Sequence, residues 1–127
     1  LDYAKLRYAN LNSANLFRTF LTNADLRDAD LRDANLRDAD LLDANLRDAD
    51  LTNANLNRAY LEDADLLNAN LRDADLTNAN LNRANLTTAD LTGAFWGNTT
   101  CPDGTMNSGT SPCTAEQLIV STNSQAF

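Results

Sequence analysis

Apolar residues in this chain fall on a period of five. Leu stands at position 1 and at every fifth position to Leu91, nineteen in all, and Trp96 takes the next place. Two residues before each of these sits Ala, from Ala4 to Ala94, with Thr19 the single exception. Between them the residue is usually Asp or Asn, as at Asp25, Asp30, Asn35, Asp40 and Asn45. The unit reads Ala-(Asp/Asn)-Leu-x-x. In an α-helix each residue advances about 100°, so successive Leu residues would step about 140° around the axis and form no apolar stripe. A continuous strand fails too, because side chains alternate faces and five is odd. A broken strand fits. Ala and Leu are two apart and share one face, and the next two residues turn a corner. Each repeat is therefore expected to be a short wall with Ala and Leu inside and Asp or Asn pointing out.

With this run of registered Leu residues, residues 1–96 resemble the pentapeptide repeat family, whose motif is a small residue, Asp or Asn, Leu or Phe, and two variable residues. The resemblance implies an all-β chain, a right-handed quadrilateral β-helix with four repeats per coil. Residues 1–96 would then form nearly five coils, a tower about 24 Å tall at the usual strand spacing. A period of twenty stacks Leu1, Leu21, Leu41, Leu61 and Leu81 as one interior ladder, and Leu6, Leu11 and Leu16 begin the other three. Coils touch only their neighbours, so stability should accumulate coil by coil.

Composition supports a regular core. Hydrophobic residues make up 43% of the chain, but nearly all are Leu and Ala; Ile119 and Val120 are the only Ile and Val. The formal charge is −8 with no His. An acidic balance argues against nucleic acid, which needs a basic stripe for its phosphates. Lack of His removes the commonest acid–base residue. Carboxylates are abundant but periodic, so they do not converge in a cleft. The four glycines, Gly93, Gly97, Gly104 and Gly109, form no phosphate loop. Calcium-binding β-rolls need Gly-rich turns that are absent here. The expectation is a protein that is not an enzyme, with no cofactor, no metal and no small-molecule substrate. No apolar run reaches the roughly 18 residues that span a bilayer. The chain opens at Leu1, already in phase with the repeat, which reads as a trimmed N-terminus; whether a preceding region is membrane-anchored stays open.

Stacking also orders the exterior. Arg7, Arg27 and Arg47 share a column, and Asp28 and Asp48 the next; Arg32 and Arg72 stand beside Asp33 and Asp73. Exposed pairs of this kind contribute about 0–1 kcal/mol each. The leading expectation is a structural or protein-interaction module, a rigid rod that displays side chains. The alternative comes from the family resemblance: some members mimic DNA and inhibit or protect DNA gyrase. Charge density weighs against it. Residues 1–96 carry 16 acidic and 10 basic residues, a net of −6, where duplex DNA of about 24 Å carries about −14. The repeat at 16–20 loses its Ala and gains Phe17 and Phe20, both read as pointing outward. Phe20 shares a column with Asp40, Tyr60 and Asn80, and Leu42 lies on the same wall. Phe17, Phe20, Leu42 and Tyr60 are the candidate protein-binding strip.

Beyond residue 96 the composition changes. Residues 97–127 read as a capping tail, with Phe95 and Trp96 closing the last coil. Its Gly-, Asn-, Ser- and Pro-rich loop carries the only cysteines, Cys101 and Cys113. Two Cys without His do not complete a zinc site, so they read as a disulfide. Thr114-Ala115-Glu116-Gln117 looks like a capping box opening a short helix through Leu118, Ile119 and Val120, laid over an end that would otherwise be an unpaired edge. A disulfide implies an oxidising compartment, and the resemblance to family members with cysteine-containing tails implies periplasm or thylakoid lumen.

Overall fold

The computed structural model describes residues 1–119. Its ladder is parallel with a fixed offset of twenty. Lys5 bridges Asp25, Asn10 bridges Asp30, Asn15 bridges Asn35 and Phe20 bridges Asp40, and the series continues to Asn80 with Thr100. Four bridge columns per twenty residues give each coil four sides. Each wall is a single bridging residue, so regular strands are nearly absent. Only β1 (Thr99–Thr100) and β2 (Met106–Asn107) qualify among the described residues, and they pair antiparallel.

Hydrogen-bond accounting within one repeat explains the motif. In Ala24-Asp25-Leu26-Arg27-Asp28, the Ala24 N–H donates to the Leu21 carbonyl and closes a four-residue turn (3.0 Å). Asp25 N–H donates to Ala4 one coil back (2.9 Å), while Leu26 and Asp28 donate to Asn45 and Arg47 one coil forward (2.7 and 3.0 Å). One donor is left, the N–H of Arg27. It goes to the side-chain Oδ1 of Asp25 (3.3 Å). The same bond recurs from Leu42 to Asp40, Thr52 to Asp50 and Asn82 to Asn80. Buried backbone donors need partners, and an Asp or Asn two residues earlier supplies this one as an Asx turn.

The second residue after Leu has φ near +60° in repeat after repeat, from Tyr3 (61°) to Thr88 (58°), with Gly93 (73°) and Asn98 (50°) continuing the series. A four-residue turn with φ > 0 at its third residue is the type II pattern. Asn and Asp tolerate this left-handed region better than other side-chain-bearing residues, which accounts for Asp28, Asp33, Asp38, Asp43 and Asp48 at that place.

Inside, Leu21 to Leu81 are sealed from solvent, and so are the Ala residues from Ala24 to Ala84. The register runs past Trp96. Thr99 takes the Ala place, fully buried, and its hydroxyl donates to the Leu76 carbonyl (2.9 Å). Cys101 takes the next Leu place, also fully buried.

Two expectations for the tail need correction. Phe95 does not close the coil; it holds the outward middle position, bridges Asp75 and is exposed, while Trp96 alone is buried. No helix forms among the described residues. Thr114 and Gln117 do make the reciprocal box, Thr114 N–H to Gln117 Oε1 (2.7 Å) and Gln117 N–H to Thr114 Oγ1 (3.2 Å). A single turn follows, with Leu118 N–H on the Thr114 carbonyl (3.0 Å). Leu118 packs on the core, but Ile119 is exposed, and Val120 lies outside the described residues. Nucleating a helix is costly, and one box does not offset that over so few residues.

Candidate interaction surface

Ion pairs with Arg run along the exterior and engage Asp25, Asp28, Asp30, Asp38, Asp50, Asp63, Asp65 and Asp90. The sequence placed Arg32 and Arg72 beside Asp33 and Asp73, but the structure pairs them differently. Residues one before and one after each Leu both point outward, whereas the next residue turns the corner. Arg27 and Arg32 therefore fold back as forks onto the middle carboxylates of their own repeats. Arg27 donates to Asp25 at 2.8 and 2.6 Å, and Arg32 to Asp30 at 2.8 and 2.7 Å. Arg47 reaches Asp65 (3.6 Å) and Arg72 reaches Asp90 (3.4 Å), while Arg83 forks onto Asp63 (2.8 and 2.9 Å).

The side-chain hydrogen bond from Arg27 is the main cause that holds the Asp25 carboxyl down to about 2, and Arg32 does the same for Asp30. Such carboxylates stabilise the fold fully above their ordinary value near 3.8 and lose that contribution as pH falls toward about 2. Melting temperature should thus be flat from neutral pH down to about 4 and drop below it. The combined change Arg27→Gln and Arg32→Gln should flatten part of that acid drop; an unchanged profile would show that these forks do not couple to folding.

Against this background one column departs. Phe20 is 64% exposed and Tyr60 54% exposed, with Asp40 bridged to both. Each aromatic stands where other repeats place the Asp or Asn that accepts a backbone N–H. At Phe20 the loss is made good, because Thr22 N–H donates to Asp2 (3.2 Å). At Tyr60 no described side chain receives the Glu62 N–H. Replacing Tyr60 by Asn should therefore stabilise the protein by about 1 kcal/mol, read as a raised melting temperature; a fall would mean that the tyrosine ring contributes more than the missing turn bond.

The structure brings Phe20, Leu42 and Tyr60 onto one wall. Arg18, Phe20, Asp38, Asp40, Arg58 and Tyr60 line an open groove of about 330 Å³. Asp40, Leu42, Tyr60 and Glu62 line an adjoining one of about 190 Å³. Leu42 is half-buried. Phe17 is exposed but lines neither groove; its ring lies 4.8 Å beneath the Arg18 guanidinium. Sequence reading missed the groove's charged rim, Arg18, Asp38 and Arg58, although positions twenty apart in one column were the available signal. Arg58 Nε sits 3.0 Å from Asp38. Tyr3 and Tyr8 were also missed as exposed aromatics, 73% and 67% exposed on the first coil.

In the tail, Cys101 and Cys113 are joined by a disulfide, and both are buried. No group of three or more metal-ligating side chains occurs among the described residues.

Comparison with known proteins agrees with this geometry. The family described as pentapeptide repeats (8 copies) matches three overlapping segments, residues 1–33, 29–66 and 54–93. No curated protein matches the chain. A solved pentapeptide repeat protein from the Arabidopsis thaliana thylakoid lumen is 27% identical over 77% of this chain and 68% of its own, with a TM-score of 0.75. HetL of the cyanobacterium Nostoc sp. strain PCC 7120, a pentapeptide repeat protein involved in heterocyst differentiation regulation, is 32% identical over 84% of this chain and 68% of its own, with a TM-score of 0.44. Rfr23 of the cyanobacterium Cyanothece 51142 is 40% identical over 68% of this chain and 63% of its own, with a TM-score of 0.37. Family matches that run over residues 1–93, with units stacked twenty residues apart on four sides, place this chain in the pentapeptide repeat family, with the right-handed quadrilateral β-helix of that family as its fold.

Proposed function

We propose that this protein is a non-enzymatic interaction module, a rigid four-sided rod that binds a protein partner through the wall carrying Phe20, Leu42 and Tyr60, with Phe17 around the corner. One observation carries the reading: Phe20 and Tyr60 expose large rings in the single column where two middle positions have given up the Asp or Asn of the repeat. Interface energy concentrates in a few aromatic and large apolar anchors that lose water on contact. Hydrated walls of paired Asp and Arg contribute little by comparison. An oxidising compartment, periplasm or thylakoid lumen, fits the buried disulfide. The alternative directed at DNA gyrase finds less support in the surface. A DNA mimic presents uninterrupted negative charge, and here Arg7, Arg27, Arg32, Arg47, Arg58, Arg72 and Arg83 each sit against carboxylates.

The test is the double change Phe20→Ser and Tyr60→Ser. Neither ring is in the core, so far-UV circular dichroism and melting temperature should stay nearly unchanged. Partner capture from the source organism's extract, or self-association in sedimentation, should weaken at least about tenfold, the loss of two anchors. Folding and association that both persist would remove this wall from consideration.

A further inference from the structure

Repeats at 25–27 and 30–32 show what a middle-position carboxylate does when an arginine is within reach. Asp25 and Asp30 each accept a guanidinium as a two-bond fork. Asp40 holds the same position in its own repeat, but the residue two places on is Leu42, which donates only its backbone N–H (3.1 Å). Among the described residues no Arg or Lys lies within ion-pair distance of Asp40, and its side chain is half-buried. It is also the one middle-position carboxylate with an aromatic residue in its column on both neighbouring coils, Phe20 and Tyr60. These aromatics are two coil spacings apart, about 9.6 Å. A cation placed midway would lie about 5 Å from each ring, inside the roughly 6 Å reach of a cation–π contact. The chain makes such contacts itself: Arg7 lies 4.6 Å over the Tyr8 ring and Arg18 lies 4.8 Å over the Phe17 ring.

We propose that Phe20, Asp40 and Tyr60 form a slot for one arginine side chain of the partner protein, its guanidinium lying between the two rings and forked onto the Asp40 carboxylate. This deepens the interaction reading above and rests on it. Arginine fits better than lysine because its planar group both stacks on rings and matches a carboxylate with two donors. The nearby cations do not compete for the place: Arg58 is engaged by Asp38 at 3.0 Å, and Arg18 is stacked on Phe17. A net charge of −8 also favours approach of a basic segment.

The experiment is a nuclear magnetic resonance titration of the whole protein with the end-blocked tripeptide Gly-Arg-Gly. Versions carrying Lys, Gln or Asp at the centre serve as controls. Amide shifts should change around residues 20, 40 and 60, and the arginine Cδ protons should move upfield between the rings. Binding should follow the order Arg, Lys, Gln, with Asp weakest. Asp40→Asn keeps the acceptor for the Leu42 N–H and repeats a residue used at Asn35 and Asn45, so it should fold; it should weaken binding about tenfold, the loss of a charge-assisted fork. Leu42→Arg should fill the slot from within, as Arg27 does at Asp25, and abolish peptide binding, whereas Arg72→Gln, on the opposite wall beside Asp90, should leave binding unchanged. Equal binding of the Arg and Gln peptides overturns the proposal, as does preference for the Asp peptide or the absence of shifts at any soluble concentration. If the peptide fails while Phe20→Ser with Tyr60→Ser still releases the partner, the wall binds by apolar contact alone and only this inference falls. If that double change releases nothing either, both fall.

Discussion

Replacing Leu51 by Ala is expected to lower the stability of the whole tower by about 2–5 kcal/mol, the range for a buried Leu whose cavity cannot collapse. Leu51 belongs to the middle coil and is fully sealed, with Leu31 and Leu71 directly above and below it in the column and equally sealed. Collapse would require the four walls to draw inward. They are held at a fixed cross-section by the bridges Asp30↔Asp50 and Asp50↔Asn70 and by their neighbours around the coil. The cavity should therefore persist. Leu6 offers the contrast, because it is only partly buried on the first coil, and Leu6→Ala should cost clearly less. Urea denaturation of the two variants measures this directly. A Leu51→Ala loss no larger than that of Leu6→Ala would mean that the interior ladders are not the main source of stability.

The sequence was most legible where one physical demand repeats in every unit. Leu and Ala at a period of five exclude helix and continuous strand, and the offset of twenty seen in the bridges is four such units. Phe20, Leu42 and Tyr60 could be placed on one wall by counting alone. The two reasons for Asp and Asn were less legible. The middle Asp or Asn accepts a backbone N–H, as Asp50 does from Thr52, and the one after the second turn position tolerates φ near +60°, as at Asp48. From the sequence alone both simply point outward, because composition does not separate a solvated carboxylate from one bonded to its own backbone. Ion-pair partners were not legible either. Arg32 chooses Asp30 over its neighbour Asp33 because of where the corner falls, and that depends on backbone direction rather than on adjacency. The tail lies beyond the repeat, so no periodic argument applies to it. A capping box was visible at Thr114 and Gln117, yet the box alone does not determine whether a helix follows.

Removing the disulfide, by Cys101→Ala together with Cys113→Ala, is expected to cost about 3 kcal/mol in the chain-entropy picture. The position of Cys101 determines where that cost is felt. It occupies the Leu place above Leu81, fully buried, so the bridge ties the tail to the interior ladder itself rather than to a surface loop. Around it, Cys101 N–H donates to the Thr105 carbonyl (2.8 Å), Asp103 N–H to the Gln117 carbonyl (3.0 Å), and Gln117 Nε2 to the Thr105 hydroxyl (3.0 Å). These bonds knit the 101–117 segment to itself, the Arg83 N–H on the Pro102 carbonyl (2.9 Å) ties it to the end of the tower, and each is weak without the covalent tie. Because coils interact only with their neighbours, the loss should be graded along the axis. Hydrogen exchange should speed up most at Leu81, Arg83 and Thr100, whose N–H groups bond at this end, and least at Leu41 and Leu46. Two further readings bear on the same point. Thiol titration of the denatured, unreduced protein should find no free thiol. A mild reductant should act slowly on the native protein, because both cysteines are buried. Two titratable thiols would remove the argument for an oxidising compartment, and uniform loss of protection from end to end would show that the tower unfolds as one unit rather than fraying from its capped end.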